Sequence, residues 1–325
     1  MIRFANKDDI DDIMSFIDEY WKKGHILGSN KSFFLYEHVL NDEVTFVISL
    51  DDVSLEINAI LGYIPYGEKH RDVMTVMWKA NHSTHASLGL ELFKYLRDYG
   101  DVRIIASPGS NPELRPLYKY LGYEFGKMIQ WYRLNPKSVY QIADIKNPEI
   151  PQINSSCNYK SLDSWEEFCK YYDFEDNSSR MRPYKEAWYI RKRYYEHPIY
   201  KYMAFGLEGS KGIIKMVLFF RIENCKNINI LRLVDSIGDY SYLKNSTALI
   251  DKLLEKYDAE YIDCYEIGLP DFYFETSGWK KTEGSGNIIP NYFAPYVLSN
   301  IDIYYFSTDS DIVLFKGDGD QDRPN

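Results

Sequence analysis

The chain has 325 residues, 45% of them hydrophobic and 26% charged. A chain of that size and balance is expected to form about two domains of roughly 150 residues and is neither disordered nor low-complexity. With 48 acidic and 38 basic side chains the net charge is −10, which argues against a nucleic-acid surface, because phosphate-backbone binding depends on clustered Lys and Arg.

Thirty tyrosines and 17 phenylalanines supply flat apolar faces, many with polar tips, suited to rings and sugars. The four cysteines, Cys157, Cys169, Cys225 and Cys264, show neither C-x-x-C spacing nor nearby His pairs, so no zinc site or disulfide framework is indicated. The opening MIRFANKDD is not a signal pattern. No apolar run approaches the ~20 residues that span a bilayer. A cytoplasmic protein with no metal, membrane or nucleic-acid partner is expected, and a homodimer stays open.

In chain order, residues 1–5 read as a strand. Asn6 then caps a helix whose Ile10, Ile13, Phe16, Ile17 and Tyr20 follow helical spacing. A helix over 31–40, strands over 44–50, 57–66 and 73–78, and a helix over 87–99 follow. A strand over 102–106 leads through a Pro-Gly-Ser-Asn turn into NPELRPLYKYLGY, Asn111 to Tyr123. There Leu114, Leu117, Tyr118 and Leu121 recur at spacings of three and four, so one face is buried while Glu113, Arg115 and Lys119 stay wet. A strand over 128–134 closes this half.

The Asn111–Tyr123 stretch resembles the second conserved motif of the GNAT acyltransferase superfamily, with Asn111, Leu117, Tyr118, Gly122 and Tyr123 at matching positions. The resemblance implies that Tyr118 protonates the departing thiolate of coenzyme A and that Asn111 touches the pantetheine arm. It also implies an oxyanion donor from the backbone of Met77 to Ala80, where two strands splay. The pyrophosphate loop is then placed between Trp78 and Gly89, with Trp78, Lys79, Ala80, Ser87, Leu88 and Gly89 around the acyl-CoA. Thr84 and Ser87 stand where the family has a basic residue and a glycine. Small residues still leave room for backbone donors at a helix start. A base near neutral pKa suits amine deprotonation, which makes His82 the first candidate and His85 the second.

The segment 139–158 reads as a linker between a first domain, 1–138, and a second, 159–325. In the second, helices are expected over 165–172 and 182–195, strands over 202–207, 212–222 and 228–237, a helix over 248–257, a strand over 261–265 and a helix over 271–276. Gly278-Trp279 then repeats the Gly-aromatic exit of Gly122-Tyr123. The fold class expected is therefore α/β: two tandem GNAT-like domains, each a mixed, mostly antiparallel sheet flanked by helices. The second copy lacks the loop and the Asn-to-Tyr motif, and is expected to bind the acceptor. The acidic, Gly-broken tail FKGDGDQDRPN reads as a frayed end. Its Asp318, Asp320 and Asp322 lack the closing Glu of a calcium loop.

Taken whole, the chain resembles tandem-GNAT sugar N-acyltransferases. That resemblance implies transfer from acyl-CoA to the amine of a dTDP- or UDP-linked amino-deoxysugar by direct attack, in surface polysaccharide (O-antigen, lipopolysaccharide or capsule) biosynthesis. Asp235, Asn291, Tyr292 and Phe293 are the expected contacts to this nucleotide-linked amino sugar. The alternatives are a Fem-type peptidyl transferase using aminoacyl-tRNA and an inactive acyl-CoA-binding module.

Overall fold

The structure is a computed structural model and describes residues 1–67, 71–81, 85, 87–151, 158–177 and 182–325. The first elements are β1 (Ile2–Phe4), α1 (Ile10–Phe16) extended by a π turn (Ile17–Trp21), α2 (Ile26–Ser29), α3 (Lys31–His38), β2 (Val39–Leu40) and β3 (Glu43–Val44). They are followed by β4 (Phe46–Leu50), β5 (Ile57–Pro65), β6 (Val73–Ala80), α4 (Leu88–Tyr99), β7 (Ile105–Pro108), α5 (Arg115–Tyr120), β8 (Glu124–Lys127) and β9 (Ile129–Leu134). Next come β10 (Tyr159–Ser161), α6 (Trp165–Tyr171), α7 (Phe174–Asn177), α8 (Ala187–Ile190), β11 (Met203–Glu208), β12 (Ile214–Cys225) and β13 (Ile228–Gly238). The chain ends with α9 (Thr247–Lys256), β14 (Tyr261–Ile267), α10 (Asp271–Thr276), β15 (Lys280–Lys281), β16 (Tyr304–Ser307) and β17 (Leu314–Phe315).

Two mixed sheets carry the fold, one in the order β1-β4-β5-β6-β7-β16-β8 and the other β10-β11-β12-β13-β14-β9-β15. Each is antiparallel except for one central parallel pair, β6 with β7 and β13 with β14. The α/β class with mostly antiparallel sheets is thus as expected from the sequence. Leu88, Leu92 and Leu96, spaced by four, bury α4 on one face of the first sheet with Val47, Leu61 and Ile105. Leu249, Ile250 and Leu253 of α9 do the same on the second. On the opposite side, one buried cluster runs from Ile13 and Phe34 through Ile60 and Met74 to Tyr189, Phe219 and Val234. The two sheets therefore share a core.

The strand expected to close the first half does not do so. It forms, as β9, but leaves the first sheet to pair with β14 over six residues, from Tyr261↔Leu134 to Glu266↔Ile129, while the first sheet keeps β8 just before it. The buried Trp131 indole explains this choice, since it stacks on Phe274 at 4.7 Å and its N–H donates to Glu266 Oε1 at 2.8 Å. In exchange, β16 from the far end of the chain enters the first sheet between β7 and β8. The helix expected from residue 182 begins only at Ala187. Residues 184–186 instead tie the halves together, with Tyr184 N–H donating to Asp72, Lys185 to Asp235 and Glu186 N–H to the Tyr66 carbonyl.

The tail is not frayed. Lys316, Asp318 and Asp322 are buried. Asp318 lies 2.7 Å from Lys185 Nζ, and Asp322 accepts from Arg193, Arg221 and Tyr202. The charges of Asp318 and Asp322 are matched inside the protein, which is why an acidic, glycine-broken sequence folds back instead of fraying.

Candidate active site

Along the first sheet's parallel pair only Val73↔Ile105 and Met74↔Ala106 are in register. Beyond Met74 the two strands part. The remaining β6 edge opens on a cleft of about 490 Å³ whose walls include Met77, Trp78, Lys79, Ala80, Asn111 and Tyr118. A bulge shapes it: Leu61 pairs with Trp78 and Gly62 with Val76, leaving Met77 as the extra residue at φ +46°. Such a bulge bends the strand and re-aims its peptide groups. This places the expected splay at the expected backbone.

Trp78 ties the strand to α4 by donating its indole N–H to the Gly89 carbonyl at 2.9 Å. A Cβ at position 89 would come within 3.1 Å of that indole nitrogen, so glycine permits the approach. Leu88 is a buried core residue and faces away from this role. Ser87 is spent on Glu91, to which its hydroxyl donates at 2.9 Å.

The sequence NPELRPLYKYLGY folds into a Pro112–Leu114 turn and α5. Asn111 caps the turn, its Oδ1 accepting from Glu113 N–H at 3.0 Å. Gly122 at φ +75° ends the helix, and Tyr123 N–H reaches back to the Tyr118 carbonyl at 2.9 Å. Gly278 and Trp279 make the same exit, with φ +80° and a bond from Trp279 N–H to the Phe274 carbonyl at 3.1 Å. Tyr118 is buried in a stack, parallel to Phe306 of β16 at 4.4 Å and to Phe125 of β8 at 5.6 Å. Burial pushes its hydroxyl pKa up, against an opposing hydrogen bond with Ser110. The hydroxyl therefore holds its proton at neutral pH, as a general acid must.

His82 lies outside the described residues. His85 is exposed, sits 3.0 Å from Ser87 Oγ and is not among the cleft's lining residues. His85→Ala is expected to leave kcat near the wild-type value, measured as thiol released from acyl-CoA. A loss of an order of magnitude would restore His85 to the chemistry.

The expected acceptor contacts scatter. Asp235 is fully buried, with Lys185 on Oδ1 at 2.6 Å and Tyr194 on Oδ2 at 2.6 Å, so it has nothing to offer a sugar. Asn291 is buried beside Arg232 and Lys316, both of which donate to its carbonyl. Phe293 lies by the Arg232 guanidinium, 5.4 Å from its carbon. Only Tyr292 reaches a cavity near the cleft, and its hydroxyl donates to Gln321 Oε1.

Sequence reasoning missed Asp320. It lines both the cleft and an adjoining cavity of about 190 Å³ behind Met77. Gly319 and Gly109 bring it there: a Cβ at 319 would meet the Pro108 carbonyl oxygen at 2.5 Å, and one at 109 would meet Asp320 Oδ1 at 2.7 Å. The alternation of Gly and Asp in KGDGDQD was the available signal.

The second sheet repeats the splay and the bulge but not the opening. Phe219 pairs with Asp235 and Phe220 with Leu233, so Val234 is the extra residue, as Met77 is in the first. Here β17 pairs with β14, and Gly317 packs so tightly on Val234 that a Cβ would lie 2.9 Å from its carbonyl oxygen. The chain's own tail fills the gap.

Among the described residues no helix is long and apolar enough to cross a membrane. No protein-family model and no curated protein matches the sequence. Among solved structures the chain is similar to a conserved protein of unknown function from Enterococcus faecalis V583, described as a probable N-acyltransferase. The identity is 10%, over 96% of this chain and 73% of that one, with a TM-score of 0.58. It is also similar to a GCN5-related N-acetyltransferase from Anabaena variabilis ATCC 29413, with 10% identity over 94% and 72% of the two chains and a TM-score of 0.54. At that identity the likeness is one of architecture, and this chain has the fold of the GCN5-related N-acetyltransferases.

Proposed function

We propose that the protein is an acyl-CoA-dependent N-acyltransferase whose active cleft lies between β6 and β7. The observation that carries this is the splayed pair with its bulge at Met77 and the buried Tyr118 lining the same cleft. The β6 edge after Met74 has no β7 ladder partner, although Ser107 donates to the Thr75 carbonyl, and the amides of a pantetheine arm suit the edge beyond it. Lys79 and the start of α4 suit the phosphates. The reacting carbonyl belongs at Met77–Trp78, where a peptide N–H can meet the developing oxyanion. The acceptor nitrogen attacks the thioester carbon, the C–S bond breaks, and Tyr118 gives its proton to the leaving sulfur.

For the acceptor, the reading remains a dTDP- or UDP-linked amino-deoxysugar of surface polysaccharide synthesis. Its support is the resemblance in sequence and the placing of Tyr292 at the cavity behind Met77. Calorimetric titration with coenzyme A, dTDP and UDP tests both levels. Saturable binding of coenzyme A and of one diphosphate is the expected result. Coenzyme A alone would retain the acyltransferase and remove the nucleotide sugar. Absence of coenzyme A binding would overturn the reading and favour an aminoacyl-tRNA-dependent transferase.

A further inference from the structure

The cavity behind Met77 joins the cleft at four shared lining residues, Trp21, Val76, Met77 and Asp320. Of these only Asp320 can exchange a proton. It belongs to the tail, yet it sits against Gly109 at the end of β7, on the far wall of the splay from Met77. Gln321 Nε2 donates to its Oδ1 at 3.0 Å, and no ion pair holds it among the described residues. Gln321 is in turn fixed by Tyr292. The carboxylate is thus oriented but not neutralised.

Three other acid–base groups of the cavity are either ion-paired or held as weak bases. Glu37 is fixed by Arg323 Nε at 2.5 Å; burial pushes its carboxyl up, but Arg323 and Arg193 bring it down to about 2. Burial draws His25 down to about 4 and His38 to about 3, and their Nδ1 atoms are engaged by Leu27 N–H and the Thr45 hydroxyl. Burial instead raises the Asp320 carboxyl above its usual range, against the hydrogen bond from Gln321 and the nearby Arg323 charge.

We propose that the cavity behind Met77 receives the reacting amino group of the acceptor, for which a small primary amine serves as test substrate, and that Asp320 takes the ammonium proton before the nitrogen attacks. The inference rests on the acyltransferase reading and names the acceptor side of the same reaction. The acceptor ammonium passes one proton to an Asp320 oxygen, the neutral nitrogen then forms the C–N bond to the acyl carbon, and the second proton it sheds goes to solvent. The C–S bond breaks and the thiolate takes the Tyr118 proton, which solvent replaces. Asp320 returns its proton to solvent after release of the amide.

Two acceptors separate a base from a merely structural carboxylate. Ethanolamine is protonated at neutral pH and must lose a proton to react, whereas hydroxylamine is already neutral. Asp320→Asn is expected to slow acetyl transfer to ethanolamine by about 10²–10⁴-fold. Transfer to hydroxylamine and calorimetric binding of coenzyme A should stay near wild type, which also shows that the variant is folded. Equal losses with both amines, or no loss with either, would overturn the assignment. So would wild-type protein that binds coenzyme A and acetylates neither amine. Wild-type protein that fails to bind coenzyme A would remove the acyltransferase reading itself, and this proposal with it.

Discussion

Replacing Tyr118 by Phe is expected to lower kcat by about 10²–10⁴-fold with little change in coenzyme A binding or thermal stability. The ring is held between Phe306 and Phe125 in near-parallel stacks, 10° and 14° from coplanar, and phenylalanine preserves that packing. What is lost is one hydroxyl at the cleft, beside Ser110. A phenol is protonated at neutral pH and burial raises its pKa further, so donation to the departing sulfur rests on its position at the cleft. Without it the thiolate must depart bare or find water in a partly enclosed cleft. Steady-state thiol release from acetyl-CoA, together with calorimetry and a melting curve, measures the effect. An unchanged kcat would remove Tyr118 from the chemistry and leave it as a packing residue.

What the sequence disclosed and what it hid divide along the range of the interactions. Asn111 to Tyr123 was legible because its signals are local: a cap at Asn111, an apolar stripe, and a glycine that must adopt φ +75° to turn the chain. The Gly278-Trp279 repeat was legible for the same reason, as an identical backbone exit. The open edge of β6 was not visible in periodicity; only the resemblance pointed to the Met77–Ala80 backbone. Nor was strand exchange legible. Whether β9 pairs with β8's neighbours or with β14 depends on where Trp131 finds Phe274 and Glu266, more than a hundred residues away. The tail was misread because composition alone describes its exposed state. Its burial depends on Lys185, Arg193 and Arg221, which no local pattern links to Asp318 and Asp322. Asp235 shows the same limit: the resemblance implied a sugar contact, whereas its partners lie at residues 185 and 194. The proposed base, Asp320, inherits this difficulty, because only the folded tail carries it to β7.

Lys185→Met is expected to destabilise the protein by about 3–5 kcal/mol at neutral pH, the cost of stranding buried charge when one partner of an ion pair is removed. Lys185 Nζ lies 2.6 Å from Asp235 and 2.7 Å from Asp318, and all three side chains are at most 2% exposed. Methionine conserves the length of the side chain and removes the only cation of this triad. Tyr194 still donates to Asp235, and Tyr66 remains bonded to the Asp318 backbone, but neither hydroxyl supplies a charge. Burial already raises the Asp235 pKa, with Lys185 holding it back and Asp318 adding to the rise. Loss of the lysine raises it further. A carboxyl with a raised folded pKa contributes stability that is fully present below its unfolded value, about 4, and is lost as pH climbs through the folded value. The deficit of the variant should therefore be small near pH 4 and grow toward neutrality. Urea midpoints at pH 4.5 and 7.5 measure this directly, and an equal deficit at both would show that charge at the triad is not what the lysine neutralises. Because the triad pins the tail that carries Asp320, the variant should also lose acyl transfer before it loses the fold. Coenzyme A binding, which we propose rests on β6 and the start of α4, should survive that loss.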